Sequence, residues 1–202
     1  PLASAIGAKI PIAQASGHMI VDIGGGSTEA AVISLGGVVV HKSARVAGNK
    51  IDEAIAQFVK KTYNLMIGER MSETIKMTIG TAVEDEPRTI EVRGRDAVSG
   101  LPRMITLTSR EVVTAIMPVL NQIIGCVKSA LQDTPPELAA DIIDKGIIMA
   151  GGTSTLRNLD KLMTQVTGVV CHVAEDPLLC VVRGTGVALE NIELYKRSVS
   201  KK

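Results

Sequence analysis

At 202 residues, with 46% hydrophobic and 21% charged residues, the chain has the make-up of a globular domain with a real core, not of a disordered tail. A net charge of +1 leaves no basic footprint for nucleic acid. One Phe, two Tyr and no Trp exclude an aromatic platform for stacking bases, so no nucleic-acid partner is expected and the core must come from Val, Ile, Leu, Met and Ala.

Residues 2–6 read as the tail of a helix ending at Gly7. Because the first residue is Pro1 and not Met, the chain is expected to begin inside a fold, with 1–17 as the end of a preceding helix and a linker. Then MIVDI, AAVISL and VVVHKSARV, separated by Gly24-Gly25-Gly26 and Gly36-Gly37, spell a meander of three antiparallel strands. Ala54, Ile55, Phe58 and Val59 mark a helix opening near Ile51, and Met71, Ile75 and Ile79 mark another over about 72–79 that puts Glu73 and Lys76 together on a different face. TIEVRG and RMITL, punctuated by Pro87, Gly94, Gly100 and Pro102, read as a hairpin in a small lobe.

Thr108 followed by Glu111 is a capping box opening a long helix with Val112, Val113, Ile116, Leu120, Ile123 and Val127 inward, which Pro118 is expected to kink or split. After Thr134-Pro135-Pro136 a short helix over 137–145 closes at Gly146. A buried strand over 147–150 leads through Gly151-Gly152-Thr153-Ser154 into a helix with Leu156, Leu159, Met163 and Val166 inward. A strand over 169–173 follows, on which Cys171 and His172 point to opposite faces. Asp176-Pro177 reads as the N-cap and first residue of a last helix through Ile192, and KRSVSKK as a frayed basic tail.

Cys126, Cys171 and Cys180 are odd in number and widely spaced, which argues against a disulfide framework and for a reducing cytoplasm. His18, His41 and His172 are equally scattered, so no metal cluster is expected from these six residues. No apolar run is expected to reach the length that spans a bilayer, and no signal segment opens the chain, so the protein reads as neither integral nor secreted.

The chemistry gathers at V-D-I-G-G-G-S-T-E. Three glycines between two apolar strands leave backbone amides open to a polyphosphate. Asp22 ends the buried strand, where a carboxylate is costly unless it meets a cation, and magnesium reached through water would serve. Ser27 and Thr28 add hydroxyls beside the same phosphates. The Gly151–Ser154 loop and the Glu73, Lys76 pair each have a plain structural reading, as a tight turn and as a solvated ion pair. Their order together with the glycine hairpin is far more specific.

That order resembles the actin, Hsp70 and sugar-kinase ATPase superfamily. Within it DIGGGSTEAAVISLGG, RVAGNKIDEAI, IGERMSETIK, PPELAADIIDKG and AEDPLLCVVRGTG resemble the MreB family of bacterial actin-like proteins along nearly the whole chain. The resemblance implies an α/β, ribonuclease-H-like half of an actin fold, a mixed sheet flanked by helices. A larger lobe over 18–47 and 115–202 would carry a small inserted α+β lobe over 48–114. It implies ATP and Mg2+ as cofactors, with Asp22 handling magnesium, Gly24, Gly25, Gly26, Ser27 and Thr28 around the β- and γ-phosphates, Glu73 and Lys76 at the ribose or adenine, and Gly151, Gly152, Thr153 and Ser154 on the nucleoside side. Asp22 and Thr28 would be the groups nearest the chemistry.

It further implies an ATP-dependent filament that maintains rod shape by organising peptidoglycan synthesis at the inner face of the cytoplasmic membrane. Partners would be other copies of the subunit and membrane-anchored shape and wall-elongation proteins. Membrane contact and the water-orienting acid would belong to a first half not represented in these residues, so this half alone should not turn ATP over. Ser27 stands where the family usually has Thr, Thr153-Ser154 where Gly-Ala is common, and Asn49 where Asp is usual. A small-molecule kinase or an Hsp70-like ATPase of the same superfamily is the alternative.

Overall fold

The computed structural model describes residues 1–192, so the basic tail KRSVSKK lies outside the described residues. After a short helix α1 (Leu2–Gly7), the strands β1 (His18–Ile23), β2 (Thr28–Ser34) and β3 (Gly37–Ala44) form the expected antiparallel meander. Two positive-φ residues, Leu35 and Gly36, turn β2 into β3, the two-residue loop that matches strand twist. Val32 faces Val40 while Ile33 faces Val38, so Val39 is an extra residue that bulges β3.

On its other edge β1 runs parallel to β7 (Ile147–Ala150), which pairs in parallel with β8 (Cys171–Val173), giving the mixed order β3-β2-β1-β7-β8. β1 is therefore central and covered on both faces, which is why its sequence is apolar without alternation. Met19, Val21 and Ile23 join the main core with Ile116, Leu120 and Ile123, and Ile20 faces a smaller cluster containing Ala5, Ile12, Ile33 and Cys180.

A second, antiparallel sheet of β4 (Leu65–Met66), β5 (Thr89–Asp96) and β6 (Pro102–Thr108) packs with α2 (Gly48–Tyr63) and α3 (Glu69–Ile79). Ile51, Ile55 and Val59 of α2 meet Ile75 and Ile79 of α3 in the main core, beside Leu65, Val92 and Leu107. β4 had no counterpart among the expected strands, being two residues long.

α4 (Ser109–Gln132) opens with the Thr108–Glu111 capping box and runs unbroken for 24 residues, across position 114/115. Pro118 does not split it. Pro118 and Thr114 both lie on the exposed face, where the carbonyl that loses its helical donor can be hydrated. A further correction concerns length. Among the described residues α4 alone is long and apolar enough, by length and composition, to cross a membrane. Half of its most apolar stretch is buried against the rest of the protein, as a core helix requires.

α5 (Pro136–Lys145) ends at Gly146 with φ 81°. α6 (Leu159–Thr167) follows a 3-10 turn over Gly152–Thr155, and α7 (Cys180–Glu190) follows another over Pro177–Leu179. Asp176 stands at the N-cap of that second 3-10 turn and not, as expected, of the last helix. It has φ 48° and makes no cap hydrogen bond, and its carboxylate takes Arg183 at 2.6 Å instead. Cys171 is buried and His172 exposed, on opposite faces of β8.

Candidate functional site

The glycine turn is fixed from three sides. The Gly24 amide donates to the Ser27 carbonyl at 3.0 Å, closing the hairpin. The Gly24 carbonyl accepts from the Gly48 amide at 3.2 Å and from the Thr153 hydroxyl at 2.7 Å, and the Gly25 carbonyl accepts from the Asn49 amide at 2.8 Å. The turn's carbonyls are thus consumed by the first turn of α2 and by the 151–155 segment. The amides of Gly25 and Gly26 make no hydrogen bond among the described residues, and a Cβ built on Gly26 would meet open space. Free amides on an exposed turn are donors for an anion.

Asp22 sits at the end of β1 opposite Glu29 on β2 and Ala150 on β7. Its carboxylate makes no hydrogen bond or ion pair among the described residues, and its Oδ1 lies 2.6 Å from where a side chain on Gly151 would begin. A half-buried acid without donors is suited to a cation it reaches through water.

Thr28 is placed differently from expectation. It is fully buried, and its hydroxyl donates to the Val46 carbonyl at 2.7 Å, so it ties the hairpin to the β3–α2 connection and does not face the turn's open side. Thr28→Val is expected to cost about 1–2 kcal/mol by stranding that carbonyl, measured as a shift in urea midpoint. Full stability combined with lost turnover in the full-length protein would return the hydroxyl to the chemistry.

Glu73 and Lys76 stand on the same cavity wall but do not pair. Lys76 Nζ donates to Asp52 Oδ2 at 2.7 Å and reaches the Gly48 carbonyl at 3.4 Å, while Glu73 is exposed. Burial holds the Asp52 carboxyl above the ordinary carboxylate range, the Lys76 hydrogen bond and charge pull it back, and the Glu73 charge pushes it up again.

Gly151 has φ 84° and ψ 158°, a conformation open only to glycine, and so turns the chain sharply out of β7. Ser154 is buried and its hydroxyl closes back on the Gly151 carbonyl at 2.6 Å. Beyond the loop, the Arg157 guanidinium takes Asp85 at 2.9 Å, and Asn158 bonds Asp85 and Thr81, each at 2.9 Å, strapping the segment after α3 to the start of α6.

These elements enclose a cavity of about 430 Å3. Of the sequence-derived residues it is lined by Gly24, Gly25, Glu73, Lys76, Gly152 and Thr153. Asp22, Gly26, Ser27, Thr28, Gly151 and Ser154 are not on its lining. Sequence reasoning missed Asp52, Met77, Arg88 and Arg157, which also line it. Asp52 follows the G-N-K-I run one helical turn into α2, and that spacing was the available signal.

Residues 1–197 match the family model described as MreB/Mbl protein. The cell shape-determining protein MreB of Escherichia coli K12 is 50% identical over 196 residues, 96% of this chain and 56% of that protein. The cell shape-determining protein Mbl of Bacillus subtilis is 48% identical, covering 99% of this chain and 61% of its own. The chain therefore spans a little over half the length of these relatives. Among solved structures, MreB5 of Spiroplasma citri bound to ADP superposes with a TM-score of 0.92 at 38% identity, covering 95% of this chain and 59% of that one. A MamK double helical filament, at 22% identity and a TM-score of 0.77, shares the fold.

Proposed function

The chain belongs to the MreB/Mbl family, and on that premise we propose that it forms one wall of the Mg-ATP site of an actin-like, filament-forming protein that maintains rod shape by organising peptidoglycan synthesis. The observation that carries the reading is the cavity of about 430 Å3, in which a glycine turn with unpaired amides faces Lys76 and the Gly152-Thr153 loop. MreB5 of Spiroplasma citri is solved both with ADP and with AMPPNP, and this cavity is of the size such a ligand needs.

In this reading the Gly25 and Gly26 amides donate to phosphate oxygens, with Gly24 and Ser27 giving the turn its shape. Asp22 would hold a hydrated magnesium ion. Glu73 and Lys76 meet the ribose or adenine, and Gly151, Gly152, Thr153 and Ser154 close the nucleoside side. Bound magnesium would neutralise phosphate charge and orient the terminal phosphoryl group. The second wall, with the acid that orients water, comes from the part of the relatives' length outside these residues. So does the surface covering the exposed Leu178, Val182 and Leu189.

Residues 18–47 and 115–202 act as the larger lobe and 48–114 as the smaller, with α4 shared between them. Closure of the two walls on nucleotide favours the conformation that contacts the next subunit, and hydrolysis shifts that population. The filament works at the inner face of the cytoplasmic membrane with membrane-anchored shape and wall-elongation proteins.

Sedimentation of the full-length protein tests the reading. With Mg-ATP it is expected to pellet as polymer, and Asp22→Asn to need more magnesium for the same pellet. A soluble protein that phosphorylates a small molecule would instead favour the kinase reading, and one released from peptide by ATP the Hsp70-like reading.

A further inference from the structure

A lysine ammonium on a flexible four-carbon stem recognises a ligand poorly unless something holds it in place. Lys76 is held by two acceptors, the Asp52 carboxylate at 2.7 Å and the Gly48 carbonyl at 3.4 Å, both in the first turns of α2. An ammonium has three donors, so one is left for whatever enters the cavity.

Asp52 is costly where it stands. Its side chain and that of Lys76 are each 17% exposed, and its second oxygen, Oδ1, is buried with no hydrogen-bond partner among the described residues. A buried carboxylate left half satisfied destabilises a fold relative to a small neutral residue, so packing gives no reason for an acid here. Asp52 is also one of three residues, with Asn49 and Glu73, shared between the cavity at the glycine turn and a second cavity of about 550 Å3 between α2 and α3. It stands on the partition between them.

Gly48 completes the arrangement. Its carbonyl receives Lys76, its amide donates to Gly24 in the glycine turn at 3.2 Å, and a Cβ on it would lie 2.6 Å from the Thr153 hydroxyl. The nucleoside wall, the glycine turn and the 151–155 loop therefore meet at one residue.

We propose that Asp52 is a positioning residue for nucleotide, fixing the Lys76 ammonium at the cavity wall and so tying α3 to the glycine turn through Gly48. The role rests on the nucleotide reading given above. Asp52 acts through Lys76 and does not itself touch the ligand.

Equilibrium titration of the full-length protein with a fluorescent ATP analogue tests it. Asp52→Asn keeps the size and removes the charge, and is expected to weaken binding at least about tenfold. Lys76→Ala should lose a similar factor. The variant combining Asp52→Ala with Lys76→Ala should bind no more weakly than Lys76→Ala alone, because both changes remove the same group from the cavity. The single Asp52→Ala variant completes the cycle and stands in for Asp52→Asn where that protein fails to fold: it should lose the same factor as Lys76→Ala, and wild-type affinity in it overturns the role. Penalties that multiply, or an Asp52→Asn protein with wild-type affinity, overturn the role. Wild-type protein that binds no analogue overturns the nucleotide reading together with it, whereas wild-type binding with penalties that multiply overturns the role alone.

Discussion

Gly151→Ala is expected to destabilise the protein by about 2–6 kcal/mol and to remove nucleotide binding along with the lost stability. The backbone at Gly151, φ 84° and ψ 158°, lies in a region essentially closed to side chains, which costs about 1–3 kcal/mol for any other residue. An added Cβ would also lie 2.6 Å from Asp22 Oδ1 and from the carbonyl carbon of Ile23. The Ile23 backbone cannot yield, because Ile23 is in the central strand, whereas the Asp22 carboxylate has to swing aside. Forced overpacking of this kind adds about 1–3 kcal/mol. Moving the Asp22 carboxylate would disturb the proposed magnesium position, so on that reading the nucleotide effect should exceed what unfolding alone predicts. Urea denaturation measures the first part and analogue titration, well below the midpoint, the second. A variant within about 0.5 kcal/mol of wild type would show that the turn out of β7 relaxes freely.

Gly184→Ala is expected to separate α7 from α1, at a cost of about 3 kcal/mol. The two helices cross so closely that a Cβ on Gly184 would fall 2.6 Å from the Ala3 carbonyl carbon and 2.8 Å from the Gly7 nitrogen. Gly7 is caught in the same way, its Cβ position lying 2.6 Å from the Cys180 carbonyl carbon. All these contacts are backbone, so no rotamer change relieves them. Cys180 reports the separation, since its thiol is fully buried and burial pushes its pKa up, both of which suppress reaction. In Gly184→Ala a thiol reagent should label Cys180 much faster than in wild type. Gly186→Ala is the control, because its Cβ would meet nothing within 4 Å among the described residues. Equal labelling in all three proteins would mean that α1 and α7 do not depend on the glycine crossing.

What could be read from the sequence were features set by neighbours a few residues apart. The Val21 to Glu29 hairpin, the Thr108–Glu111 cap, the apolar stripes of α2, α3, α4 and α6 and the glycine exit from β7 all follow from turn chemistry and periodicity. The family resemblance was legible for the same reason, since its motifs are short runs.

What only the tertiary structure decided were partners far apart in the chain. Nothing in MIVDI tells that β1 pairs in parallel with β7, more than a hundred residues on. The Thr28 hydroxyl looked available for phosphate until β3 brought the Val46 carbonyl to it. Lys76 looked like the partner of Glu73, three residues away, until α2 packed on α3 and offered the less exposed Asp52. In each case several acceptors were within reach of the local chain. The choice fell to whichever group the core placed closest and driest, because a hydrogen bond or ion pair strengthens as water is excluded.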